Sequence, residues 1–204
     1  MKLRNIPVMI LCGGKGTRLE KITKNKIPKC LAPINGIPFL HILVQYLQSE
    51  GFEKFIFCTG HLGEQVRQYV NGSLSSTGKV GKFEGIISQE SKPLGTNGAI
   101  KLAENFLTDY EDIYVVVNGD TYCALDYKYL VSVYMRMNTK LNMSVISKSR
   151  KEVGTYIYRK GWDLFSSFVE VQDFTEFIDI GTLEGYEKVN KYLTGKKWLK
   201  NIEI

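Results

Sequence analysis

A chain of 204 residues, 44% apolar and 24% charged, has the size and composition of one globular domain with a sizeable core. No apolar run is long enough to span a bilayer, and residues 1–7 carry charge without a long apolar segment, so neither a membrane span nor a signal peptide is expected. The net charge of +6 reads for most lysines as a solvated face, with a basic mouth for anionic substrates as the sharper alternative, and the densest basic runs, residues 21–29 and 148–151, lack the interleaved aromatics of a nucleic-acid binder.

The first predicted element is an apolar run, residues 8–11, read as a buried strand that feeds the glycine-rich stretch Gly13-Gly14-Lys15-Gly16-Thr17-Arg18-Leu19. Residues 21–29 are too polar for a core element and read as a loop. Pro38 opens a helix at its first turn, with Phe39, Leu40, Leu43, Tyr46 and Leu47 at helical spacing and Gly51 as the stop. A second strand over 54–59, a short helix over 63–70 and a Gly/Ser-rich loop over 71–81 follow. A third strand covers 83–88, then Glu90 to Ile100 leads into a helix ending near Phe106. Residues 113–117 are apolar on both faces, as in a central parallel strand, and end in Asn118-Gly119-Asp120. Asp126 caps a helix through about Met137, and residues 143–146 form another strand. Residues 155–158 and 164–168 flank Arg159-Lys160-Gly161 as a hairpin. Residues 176–182 give a short strand running into a helix to about Leu193. This alternation predicts an α/β fold: one domain, residues 1–204, with a Rossmann-like, mostly parallel sheet covered by helices on both faces in three layers, α/β/α. Cys12, Cys30, Cys58 and Cys123 form no C-x-x-C pair, which favours reduced, cytoplasmic thiols. Two histidines, His41 and His61, exclude a histidine-rich metal centre.

A strand entering a glycine-rich loop is a common phosphate holder, because glycine lets backbone N–H groups approach an anion closely. The Walker A spacing fails from Gly13 or Gly14. A dinucleotide fingerprint fits Gly14 and Gly16 but meets Leu19 at its third position, and the second strand ends in Gly60-His61 rather than in a ribose-binding acid. The third reading is a nucleoside triphosphate loop, to which Arg18 and Lys29 add charge. In parallel sheets ligands bind beyond the carboxyl ends of the strands, and the glycine loop, residues 90–96 and Asp120 all follow strands. Asp120 suits Mg²⁺, with a turn or cap as the plainer role. Asp179, flanked by apolar residues, needs a partner, which a metal or the helix beginning near Thr182 would supply.

In order along the chain stand G-G-x-G-T-R-L (Gly13 to Leu19), P-K (Pro28-Lys29), P-L-G-T-x-G-A-I (Pro93 to Ile100), G-D (Gly119-Asp120) and F-x-D-I-G-T (Phe177 to Thr182). With these motifs the sequence resembles the sugar-phosphate nucleotidylyltransferases, most of all the heptose and mannose 1-phosphate guanylyltransferases. The resemblance implies a Mg²⁺-dependent transfer of a nucleoside monophosphate to a sugar 1-phosphate, with release of pyrophosphate. It assigns Asp120 and Asp179 to the metal, Arg18 to the triphosphate as pyrophosphate leaves, and Lys29 to the phosphates and the attacking sugar phosphate. Leu11, Gly13, Gly14, Gly16, Thr17, Glu90, Gly95 and Thr96 fall to the nucleotide. Gly154 and Glu170 fall to the acceptor, because Val153-Gly154-Thr155 and Phe168-Val169-Glu170-Val171 look like the family's Y-G-T and F-x-E-K. Here Val171 replaces that lysine, with Lys148 or Lys151 as candidates to substitute for it, and the N-A-G-I-Y segment is missing unless Gly154 to Tyr158 is its remnant with the hairpin lost. Glu90 stands where the family reads the base edge. A carboxylate only accepts hydrogen bonds, which leans towards GTP, then CTP. A cytidylyltransferase for a smaller phosphorylated acceptor and a non-catalytic nucleotide-binding relative remain the rivals. Exposed aromatics among the 12 Tyr and 10 Phe could serve a homodimer.

Overall fold

The computed structural model describes residues 2–74, 83–108, 112–137, 142–146, 152–161, 166–170 and 177–193. In chain order the elements are β1 (Val8–Leu11), α1 (Glu20–Thr23), β2 (Pro33–Ile34), β3 (Ile37–Pro38), α2 (Phe39–Glu50), β4 (Lys54–Thr59), α3 (Gly63–Tyr69), β5 (Glu84–Gln89), α4 (Gly95–Ala103), β6 (Ile113–Asn118), β7 (Thr121–Cys123), α5 (Tyr127–Met137), β8 (Asn142–Ile146), β9 (Glu152–Arg159), β10 (Ser166–Glu170), β11 (Phe177–Asp179) and α6 (Leu183–Leu193).

Seven strands form one sheet in the order β10-β8-β9-β6-β1-β4-β5. The β1–β4, β1–β6, β4–β5 and β8–β10 pairings are parallel, and only β9 runs against its neighbours β6 and β8. Alternation along the strands sends side chains into two cores. Val8, Ile10, Phe55, Phe57, Val115 and Val117 share one with Leu43 and Leu47 of α2, Leu130 of α5 and Val189 of α6. Met9, Ile56, Tyr114 and Val116 share the other with Ile100 and Ala103 of α4. Helices therefore cover both faces, as the apolar-on-both-sides strands require.

Helix α2 ends as its sequence dictates. Gly51 takes φ +108°, a conformation that costs glycine little. Its N–H donates to Gln48 O at 2.9 Å and that of Phe52 to Leu47 O at 3.2 Å, so the last carbonyls are satisfied in a Schellman turn. Pro38 stands one residue outside the helix, in extended backbone, and pairs with Pro33 across β2–β3. The turn of that ribbon is Asn35-Gly36 with φ of +50° and +85°, the pair that a two-residue type I′ turn demands.

The expected hairpin of residues 155–158 with 164–168 does not form. Both edges of β9 are taken, by β6 and β8, so β10 has no edge of β9 to join and extends the sheet parallel to β8 instead. Residues 162–165 lie outside the described residues, as do Lys148, Lys151 and most of the loop expected over 71–81. The polar stretch after the glycine loop is not wholly irregular: α1 forms one turn and buries Thr23, whose hydroxyl donates to Leu19 O at 3.2 Å. No helix among the described residues is long and apolar enough to cross a membrane.

Candidate active site

Parallel pairing brings the carboxyl ends of β1, β4, β5 and β6 to one rim. Leu11 lies opposite Cys58 on one side and Asn118 on the other, and all three line a cavity of about 440 Å³. The chain leaves β1 for β4 on one side and returns through β6 on the other, which opens a crevice beyond β1. Of the residues singled out in the sequence, Leu11, Gly13, Gly14, Lys29, Glu90, Gly95, Thr96 and Asp120 line this cavity. Thr17 and Arg18 are exposed on the helical turn Thr17–Leu19 beside it, and Arg18 makes no ion pair among the described residues. Gly154 is buried in β9 at φ +68°, and a Cβ there would meet the side chain of Asn118. Glu170 is placed by its backbone alone, at the end of edge strand β10, and its side chain lies outside the described residues.

Glu90 follows β5 and reaches back over the glycine loop. Its Oε2 accepts the Leu94 N–H at 3.0 Å. Its Oε1 lies where a Cβ on Gly13 would come within 3.3 Å, and a Cβ on Gly60 would collide with the carboxylate. The neighbouring Gln89 fastens this corner. Its Oε1 accepts the Thr59 hydroxyl at 2.7 Å, and its Nε2 donates to the carbonyls of Gly60 and Glu90, each at 3.2 Å. Helix α4 then starts at Gly95 with no side-chain cap at Leu94. The free N–H groups of its first turn and the helix dipole favour an anion at that end.

The two aspartates come together through the smallest sheet of the fold. Strand β11 pairs antiparallel with β7, setting Asp179 opposite Thr121, the residue after Asp120. The Ile180 N–H donates to Asp120 O at 2.9 Å and locks the register. Asp120 Oδ2 forms an ion pair with Lys29 Nζ. Gly181 marks the point where these groups converge: a Cβ there would stand 2.7 Å from Asp179 Oδ1, 3.0 Å from Asp120 Oδ2 and 3.5 Å from Lys29 Nζ. The plainer role for Asp179, capping α6, falls to Thr182, whose Oγ1 accepts the Gly185 N–H at 3.1 Å. Asp179 Oδ1 instead accepts the Gly181 N–H at 2.6 Å.

This cradle fits Mg²⁺. Among the described residues no three His, Cys, Asp or Glu side chains gather as a complete protein cage. A carboxylate pair that leaves other positions to phosphate and water is the usual Mg²⁺ arrangement.

Several lining residues escaped the sequence reading. Cys12, Cys30 and Cys58 lie under the glycine loop, beside Lys15, His61 and Asn118. A hydrogen bond with Cys30, then burial, pushes the Cys12 thiol well above its ordinary value. Burial, helped by the charge of Glu90, pushes Cys58 up to about 12. The thiols of Cys12 and Cys58 stay protonated and form an inert wall rather than a nucleophile. A signal for two of them was present in the sequence, since Cys12 and Cys58 stand at the ends of parallel strands, where ligands gather.

The family described as nucleotidyl transferase matches residues 7–176. D-glycero-alpha-D-manno-heptose 1-phosphate guanylyltransferase of Campylobacter jejuni is 36% identical over 151 residues, covering 72% of this chain and 58% of that protein. The enzyme of the same name from Aneurinibacillus thermoaerophilus is 33% identical over 151 residues, covering 72% and 60%. The chain thus spans about three fifths of the length of these curated relatives. HddC from Yersinia pseudotuberculosis, in its crystal structure complexed with GMP-PN, superposes with a TM-score of 0.71 at 28% identity, covering 92% of this chain and 99% of that one. The family match runs over residues 7–176, the stretch that holds the glycine loop, Lys29, Glu90 and Asp120, and the chain belongs to the nucleotidyl transferase family.

Proposed function

We propose that this chain transfers a nucleoside monophosphate, from GTP by preference, to a heptose or mannose 1-phosphate and releases pyrophosphate. The observation that carries the proposal is the convergence of Lys29, Asp120 and Asp179 around Gly181, on the rim that also holds the glycine loop. The heptose 1-phosphate guanylyltransferase names of the relatives support this choice of base and acceptor.

In this reading the backbone N–H groups of Gly13 and Gly14 and the first turn of α4 hold the triphosphate. Glu90 keeps Oε2 on Leu94 and offers Oε1 to the donors on a base edge, which suits guanine. Lys29 grips phosphate oxygens and orients the phosphate of the acceptor for in-line attack on the α-phosphorus. Arg18, exposed beside the loop, folds over the leaving pyrophosphate. A Mg²⁺ held by Asp120 and Asp179 would supply charge neutralisation. No covalent enzyme intermediate is needed, so the residues work by positioning and by matching charge.

The test is pyrophosphate release with Mg²⁺ across ribonucleoside triphosphates and dTTP, against heptose, mannose and glucose 1-phosphates and phosphocholine. GTP with a heptose or mannose 1-phosphate is the expected productive pair. Turnover only with CTP and a small acceptor would replace this reading by a cytidylyltransferase. Nucleotide binding without turnover on any acceptor would make the chain a binding relative. Asp120→Ala and Asp179→Ala are each expected to lower turnover at least about 10²-fold while the apoprotein still folds. Full activity in either variant removes that residue from the site.

A further inference from the structure

Lys29 holds a position that the metal would also claim. Its ammonium is paired with Asp120 Oδ2, and it shares with both aspartates the space around Gly181. The pair is sheltered, with the side chains of Lys29 and Asp120 only 20% and 14% exposed. The base of the lysine stem lies against the glycine loop as well. Gly16, at φ +66°, packs so closely that a Cβ there would stand 3.1 Å from Lys29 Cβ and 3.8 Å from its Cδ. The glycine loop and Lys29 therefore form one mechanical unit, and whatever fills the loop acts on the lysine.

We propose that the Lys29 ammonium is a placeholder cation at the Asp120–Asp179 seat, displaced when a divalent cation enters, and that a bound triphosphate draws it onto phosphate oxygens, so that nucleotide and metal bind cooperatively through this one side chain. The proposal rests on the reading of Asp120 and Asp179 as the metal-holding pair. Charge arithmetic drives the exchange. Two carboxylates with the ammonium carry one net negative charge, too little to hold a divalent cation whose nearest neighbour is another cation. With the ammonium withdrawn, two carboxylates balance two positive charges. In a sheltered site such repulsion is poorly screened. A triphosphate gives the ammonium an alternative anion within reach of a long flexible side chain. Linkage makes the effect mutual, so nucleotide raises metal affinity by the factor by which metal raises nucleotide affinity.

The experiment titrates Mn²⁺ into the full chain without acceptor and follows free Mn²⁺ by its electron paramagnetic resonance signal, with and without a non-hydrolysable GTP analogue. The wild-type chain is expected to bind Mn²⁺ weakly alone and far more tightly with the analogue. Lys29→Met is expected to bind Mn²⁺ without nucleotide about tenfold or more tighter than wild type, and to gain correspondingly less from the analogue. Equal Mn²⁺ affinity of nucleotide-free Lys29→Met and wild type overturns the exchange. The underlying seat is tested apart from it: in nucleotide-loaded protein, Asp120→Asn and Asp179→Asn should each abolish the Mn²⁺ binding that exceeds that of the analogue alone. If Mn²⁺ binding survives both, the seat and the exchange fall together. Should Lys29→Met not fold, the lysine ¹⁵N–¹H spectrum of the wild-type chain reports instead. A protected Lys29 ammonium signal that moves on adding Mg²⁺ and analogue supports the exchange, and a signal unmoved by both overturns it.

Discussion

Gly60 and Gly181 shape the site by what they leave out. An alanine methyl at Gly60 would occupy the place of the Glu90 carboxylate, and one at Gly181 would fill the space among Asp120, Asp179 and Lys29. The two substitutions should separate nucleotide binding from chemistry. Gly60→Ala is expected to raise the KM for the nucleoside triphosphate about tenfold, equivalent to ~1.4 kcal/mol, with a smaller change in kcat. Steady-state kinetics decide it: an unchanged KM would mean that Glu90 does not meet the nucleotide. At this scale the sequence was informative wherever a charged residue stood directly after a strand, as with Glu90 and Asp120, because position in the chain then sets position on the rim. It was silent on the Lys29–Asp120 ion pair, which joins residues 91 positions apart and depends on side-chain reach rather than on pattern.

Between elements, the packing of α2 on α3 carries a pH dependence. His41 is buried on α2, and its Nδ1 lies 2.9 Å from the hydroxyl of Tyr69 on α3, while its Nε2 has no hydrogen-bond partner among the described residues. Burial lowers the pKa of His41 from its ordinary 6.5. The unfolded chain therefore takes up a proton below that value where the folded chain does not. Stability is full above pH 6.5 and declines as the pH falls from there towards the lowered folded value. The slope is at most ~1.4 kcal/mol per pH unit for this one proton. Urea unfolding at several pH values should show the decline, and His41→Phe should flatten it while losing the Tyr69 contact at every pH. An unchanged slope in the variant would assign the acid sensitivity to other groups. Elements that rest on local chemistry were legible in the sequence: β1 and β4 as apolar runs, α2 from its spacing and Gly51 stop, the helix cap at Asp126, whose Oδ1 accepts the Tyr129 N–H at 2.8 Å. Strand pairing was not. Residues 155–158 carry the pattern of a hairpin arm, yet which strand a β-pattern joins depends on which edges are free, and the competition of β6 and β8 for β9 is a property of the finished sheet. The Asn35-Gly36 turn had a strong local signal, but its strands are only two residues long, too short for alternation to show.

Across the whole molecule, the functional rim is assembled from segments far apart in the chain, from Leu11 to Gly181, and each is fixed by a different part of the scaffold. The glycine loop and residues 90–96 hang from strands of the large sheet, which is buried on both faces. Asp179 hangs from a smaller unit, although its neighbours Ile178 and Ile180 are buried in the same core as β1 and β6. It is carried by the three-residue strand β11, whose partner β7 is equally short, and by the Ile180 amide bonded to Asp120. Local opening of a protein draws first on the elements with fewest bonds to break. The ribbon, with few backbone bonds of its own, is expected to open at lower cost than the sheet, by a margin that the burial of Ile178 and Ile180 limits. Hydrogen exchange should find the Ile180 amide far less protected than amides of β1 and β6, and bound Mg²⁺ with nucleotide should slow it towards theirs. Equal protection without ligands would instead make the ribbon part of the central cooperative unit. On the first of these outcomes the aspartate pair is a closure completed by what binds there, and the second carboxylate joins the first only when the ribbon is shut.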